Sequence, residues 1–268
     1  MATVASISSH SHTPSVERPR VIVPVAGAFN AELGPFSTGQ AHNSSLRKLF
    51  EDARMPVAHT ITPSHFGIVG SVESEYERFA EKVDTALARY GSNALPVYVA
   101  HSFGGLLALR DHAVRDSGGV LTLGSPHGRM RHAPVIGRLL QHVEPYHHRC
   151  AEFEEFSQET LDRMEQQKYA GEVIFAGSTI DPVVGVHAST PAVSGVRRVL
   201  FGPDLGFNIP ASHRTVPRIP GLVEHIRLLT DHTVGAFVLS HVAEMVDPLV
   251  HEPIPNNVYH LPLSSPAS

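Results

Sequence analysis

The chain has one cysteine, no tryptophan, and no apolar run near the ~20 residues that a bilayer-spanning helix needs. A single cysteine, Cys150, excludes an internal disulfide framework, and nothing in the chain has the spacing of a zinc ribbon or finger. Charge of either sign is scarce, at 18% of residues. Lys and Arg number 21 against 26 Asp and Glu, so the net charge is -5. An acidic balance lacks the sequence-independent attraction to phosphates that nucleic-acid binders use, which argues against that partner class. The first eighteen residues have neither a basic n-region nor a continuous apolar h-region, so they do not read as a secretory signal. They predict a polar, disordered arm over residues 1–19 and a protein that works in the cytoplasm.

What is present is 268 residues with 42% hydrophobic character, enough to bury a core without cross-links. The 19 histidines are mostly scattered singly, and only position can promote one of them to a functional role. From Arg20, short β-branched runs alternate with helical stretches, the pattern of a parallel sheet with covering helices. Strands are predicted at Val21–Gly27, Val57–Ile61, Pro96–Ala100, and in VLTLGSP, EVIFAGS and VRRVLF. Helices are predicted around Ser44–Arg54, over SEYERFAEKVDTALARYG, over LLALRDHAV, and over GLVEHIRLL. Residues 129–170 lack strand character and carry two or three short helical patterns, which predicts a small helical cap. The main domain is therefore expected over residues 20–230, with a further helix and a Pro-rich tail over 231–268.

The strongest local signal is Ala100-His101-Ser102-Phe103-Gly104-Gly105, between a β-branched run and an apolar helix. A serine on a sharp strand-to-helix turn needs small neighbours two positions away on either side, because a larger Cβ there collides with the adjoining element. Ala100 and Gly104 meet that demand. The following helix aims its dipole at the site and favours a developing oxyanion. A serine hydroxyl becomes a nucleophile when an imidazole takes its proton, and the imidazole needs a carboxylate to hold its tautomer. In such sheets these groups follow in the order Ser, acid, His. Asp181 stands just beyond EVIFAGS, and His213 stands in the loop after VRRVLF. Asp204 is the rival acid and His225 the rival base, the one placed like a turn residue and the other inside a helical pattern. The oxyanion hole needs the amide of Phe103 and a second amide from the loop after the first strand, Ala28 or, failing that, Phe29.

VYVAHSFGGLLAL resembles the nucleophile elbow of microbial triacylglycerol lipases and related carboxylesterases of the α/β-hydrolase fold, with alanine for the first glycine of G-x-S-x-G. LGSPHG, AGSTIDPVV and SHRTVPRIPGLVEHI are similar to the segments that follow it in those enzymes, and the resemblance runs from about Arg20 to Leu229. It implies an α/β-hydrolase fold with helices on both faces of a mostly parallel sheet. It further implies a Ser102, Asp181, His213 triad, ester hydrolysis and no cofactor. Ala26-Gly27 departs from the His-Gly that usually ends the first strand in the family, and the cap is short. These departures move the expectation from a fat-droplet lipase to an intracellular carboxylesterase acting on a small-molecule or lipid ester.

The same elbow serves thioesterases, acyltransferases and amidases, and a non-catalytic binding protein of this fold is the reading from another class. His147, His148 and Cys150 have ligand chemistry but no acid or second cysteine at a helpful spacing, so no metal is expected. His101 and His127 read as supports for loops. The sequence does not fix the oligomeric state.

Overall fold

The computed structural model describes residues 18–27, 46–63, 71–128, 144–166, 171–181, 183–202 and 232–247. Among the described residues five strands form one sheet: β1 (Arg20–Val25), β2 (Leu95–His101), β3 (Gly119–Leu123), β4 (Glu172–Ser178) and β5 (Arg197–Phe201). They lie in sequence order, and each neighbouring pair is parallel. Parallel pairing requires a crossover between successive strands, and the helices supply it. They are α1 (Leu46–Asp52), α2 (Val72–Leu87), α3 (Phe103–Val114), α4 (Glu144–Gln166), the single turn α5 (Val186–Ser189) and α6 (His232–Val246).

Strand periodicity divides the core into two layers. Val21, Val23 and Val25 of β1, with Tyr98, Ala100 and Phe175, pack against α2, α3 and α4. Ile22, Val97, Val99, Leu121 and Ile174 face the other way, onto Leu46 and Phe50 of α1 and Val234, Val238 and Val242 of α6. Because both faces are covered, the central strands are buried throughout, which is why β2 and β3 read as continuous apolar runs. Helix α3 is buried all round, since it lies between the sheet and the helices α2 and α4. Helix α2 starts at Ser71, whose hydroxyl accepts the amide of Ser74 at 3.0 Å, and its Phe79, Val83 and Leu87 turn to the core.

Three expectations need correction. Val57–Ile61 is not a strand but two isolated bridges, Ile22 to Val57 and Val25 to Ile61. The chain pairs with the outer edge of β1 at both ends of this stretch and leaves it between them. Residues 144–166 form one 23-residue helix, not two or three short ones. Phe153, Phe156, Leu161 and Met164 bury into the same core layer as α2 and α3, so this half of the expected cap region packs as a wall of the body. Helix α2 also ends earlier than its pattern implied: one 3-10 turn, Ala88–Tyr90, precedes Gly91. The expected arm before Arg18, the helix at GLVEHIRLL, residues 129–143 of the cap and the tail beyond Asp247 lie outside the described residues.

The chain leaves β1 towards the bridges on one side and returns by α2 to β2 on the other. That reversal makes the carboxyl ends of β1 and β2 a topological switch point, the place where open α/β sheets carry their ligands. Ser102 is the residue that follows β2 there.

Candidate active site

Ser102 has φ 51° and ψ −130°, outside the regions that L-residues normally occupy. Its surroundings hold it in place. The amide of Ser102 donates to the carbonyl of Leu123 at 3.0 Å, which ties the turn to the end of β3, and its carbonyl accepts the amide of Gly105 at 3.0 Å. A Cβ on Gly104 would stand 2.3 Å from the carbonyl oxygen of Ala26, so only glycine lets α3 begin this close to the end of β1. The sequence expectation for the residue two places after the serine is met by that contact. The serine itself is half-buried between a buried His101 and a buried Phe103. The ring of Phe103 meets Phe153 of α4 edge-on at 5.1 Å. Its amide belongs to the first turn of α3, where the helix directs N–H groups outward.

The loop after β1 passes beside this turn. A Cβ on Gly27 would lie 3.0 Å from both the Cβ of Ser102 and the Nδ1 of His101. Ala28 and its alternate Phe29 lie just beyond, outside the described residues.

Asp181 stands three residues past β4 and is buried. Its Oδ1 accepts the amides of Val183 at 2.8 Å and Val184 at 3.2 Å. That pair of bonds is an Asx-type turn, so the carboxylate of the expected acid also shapes its own loop. The turn is anchored at its start by the amide of Thr179, which donates to Phe201 of β5 at 2.9 Å. Ser102 and Asp181 therefore stand at the same edge of the sheet, on β2 and β4, with β3 between them. Two strand spacings separate their strands, roughly 9–10 Å. His213 and the rivals Asp204 and His225 lie outside the described residues.

Against β3 and β4 packs a polar group that the sequence reads only as loop support. The ring of His127 is buried, stacks on Phe175 of β4 at 4.3 Å and 19°, and shares a hydrogen bond with Thr122 of β3 at 2.9 Å through Nε2. Burial pushes its pKa down to about 3, so the imidazole is neutral and not a base for the serine. The sequence signal was the LGSPHG segment itself; the pairing with Phe175 had none, because it crosses strands. A cleft of about 440 Å³ opens behind His127 and Gly128, walled by Glu154, Leu161, Asp162 and Val193. Among the described residues no group of three His, Cys, Asp or Glu is placed to hold a metal ion, and the side chains of His147, His148 and Cys150 are outside the description. No described helix is long and apolar enough to cross a membrane.

A parallel sheet with helices on both faces, a strained serine after β2 and an acid loop after β4 make this an α/β-hydrolase fold. No protein-family profile matches the sequence, and no curated protein matches it. Solved structures do match in fold. The monoacylglycerol lipase of Paleococcus ferrophilus superposes with a TM-score of 0.50 at 14% identity, over 84% of this chain and 96% of that one. A structure of metagenome-derived lipolytic enzymes gives 0.53 at 12% identity, over 85% and 94%. A lipase-esterase related protein from Clostridium acetobutylicum gives 0.52 at 13% identity, over 86% and 96%.

Proposed function

We propose that this protein is a carboxylic ester hydrolase that works through an acyl-enzyme on Ser102. The observation that carries the reading is the backbone of Ser102, a non-glycine residue kept at φ 51° on the strand-to-helix turn where a nucleophile is exposed. Strain of this kind costs roughly 1–3 kcal/mol and persists where the surroundings enforce it, most often at functional sites. The neighbouring lipases and esterases of the same fold support the choice of reaction.

His213 takes the proton of Ser102 as Oγ bonds to the substrate carbonyl carbon. Asp181 orients that imidazole and stabilises it once charged. The tetrahedral oxyanion is held by the amides of Phe103 and Ala28, each worth about 3–4 kcal/mol in a well-built site. The oxyanion collapses, the ester C–O bond breaks, and His213 passes its proton to the departing alcohol. Water, deprotonated by the same imidazole, then releases the acid and restores Ser102. No step calls for a cofactor.

Labelling by a fluorophosphonate probe, with the modified residue located by mass spectrometry, tests the reading. Covalent attachment at Ser102 supports it. Folded protein that never labels would refute it and favour the binding-only alternative, for which Ala26 in place of histidine is the argument. A panel of esters, thioesters and amides separates the acyl-transfer chemistries.

A further inference from the structure

Four tethers converge on His127-Gly128. The imidazole is fixed to β3 through Thr122 and to β4 through its stack on Phe175. The carbonyl of His127 accepts the hydroxyl of Ser157 on α4 at 2.6 Å. The amide of Gly128 donates to the carbonyl of Ala188 at 2.9 Å, on the turn α5 that closes the acid loop. That turn is itself tied back, since the amides of Ala188 and Ser189 both donate to Gly185, directly after the Val183 and Val184 amides that hold Asp181. On the other side, β3 carries the carbonyl of Leu123 that holds the amide of Ser102. A continuous path of hydrogen bonds and packing thus runs from the nucleophile turn through His127 to the carboxylate.

We propose that His127 is a positioning residue, whose buried ring locks the turn after β3 so that Gly128 sets the acid loop, and with it Asp181, at a fixed distance from Ser102. The inference rests on the reading of Ser102 and Asp181 as parts of one catalytic site. In this proposal His127 acts through the acid loop rather than on the reacting atoms. A ring held by Thr122 and by Phe175 has little freedom, and the amide of Gly128 joins it to the turn that follows Asp181. A displacement near 1 Å at a catalytic group is enough to slow chemistry by roughly 100-fold.

The test compares His127→Ala, Asp181→Asn and the double variant with the wild-type enzyme, by ester turnover and by the rate of fluorophosphonate labelling. Circular dichroism first establishes that each is folded. For His127→Ala we expect kcat to fall roughly 10- to 100-fold with little change in KM. His127→Gln, which can replace the Nε2 hydrogen bond to Thr122, should recover part of that loss. On the Asp181→Asn background, removing His127 should cost almost nothing further, because the two act through one carboxylate. Fully multiplicative losses in a folded double variant would overturn the proposal and leave the ester-hydrolase reading standing. A wild-type protein that does not label at Ser102 overturns both. If His127→Ala does not fold, Thr122→Val removes only the ring's hydrogen bond and enters the same comparison.

Discussion

Gly105 on α3 and Ser125 beyond β3 are packed so tightly that a Cβ on the glycine would stand 1.9 Å from the serine Oγ. The serine hydroxyl has no hydrogen-bond partner among the described residues, so the contact is one of shape. It holds the first turn of the helix behind the nucleophile against the end of the neighbouring strand. Gly105→Ala should therefore destabilise the protein by about 3 kcal/mol and abolish labelling of Ser102. Adding Ser125→Gly removes both colliding atoms and should return most of the stability, read from urea midpoints.

Asp181→Asn keeps an oxygen able to accept the amides of Val183 and Val184, so the acid loop should persist. In the proposed mechanism, what is lost is the charge that would hold the imidazole of His213. We expect kcat for a short-chain nitrophenyl ester to drop about 10⁴-fold with the melting temperature nearly unchanged. Ser102→Ala should eliminate turnover altogether, again with an intact fold.

Much of this arrangement was legible in the sequence, and the exceptions have physical causes. The central strands announce themselves because both faces are buried and β-branched residues fill them. The nucleophile turn is equally visible, since steric demands at Ala100 and Gly104 restrict the local choice of residue. The stretch from Val57 to Ile61 has strand composition, but it is an outer edge anchored at two points only. Helix α4 is less legible, because Ser157 and Thr160 interrupt its run of apolar positions. These hydroxyls lie in its apolar stripe and are satisfied by the carbonyls of His127 and Phe156, contacts that no periodicity encodes. His127 itself was assigned to loop support, which is correct as far as one strand goes; its grip on β4 comes from tertiary packing.

Acid should loosen the fold through two buried histidines. Burial lowers the pKa of His112 to about 4 and of His127 to about 3, both below the ordinary 6.5. The unfolded chain therefore binds more protons than the fold as pH drops below about 6.5, and stability falls with it. The decline stops near pH 4 for the first and near pH 3 for the second. At pH 5 each has cost about 2 kcal/mol relative to pH 7. Urea denaturation of His127→Phe at the two pH values should show the gap narrowed by that amount.

A fully buried carboxylate, Asp111 of α3, accepts hydrogen bonds from the hydroxyl of Tyr98 and from Nε of Arg115, the latter at 2.6 Å. Burial pushes its pKa up, and the Arg115 guanidinium and the tyrosine oppose the shift. Arg115→Met strips the charge partner from a group with no access to water, and should cost about 3 kcal/mol. Asp111→Asn should be milder, near 1 kcal/mol, because Tyr98 keeps an acceptor and Arg115 keeps its existing ion pair with Asp84. Thermal unfolding of the two variants ranks them.

Helix α6 covers Ile22, Val97, Val99 and Leu121, and its Met245 carbonyl receives Arg20 from the first strand at 2.6 Å. During synthesis every strand of the sheet has left the ribosome before this lid of hydrophobic side chains exists. A nascent chain must therefore carry an uncovered greasy surface through most of its translation. Ribosomes stalled short of residue 232 should present a sticky intermediate, one that holdase chaperones would bind and that the finished chain no longer offers.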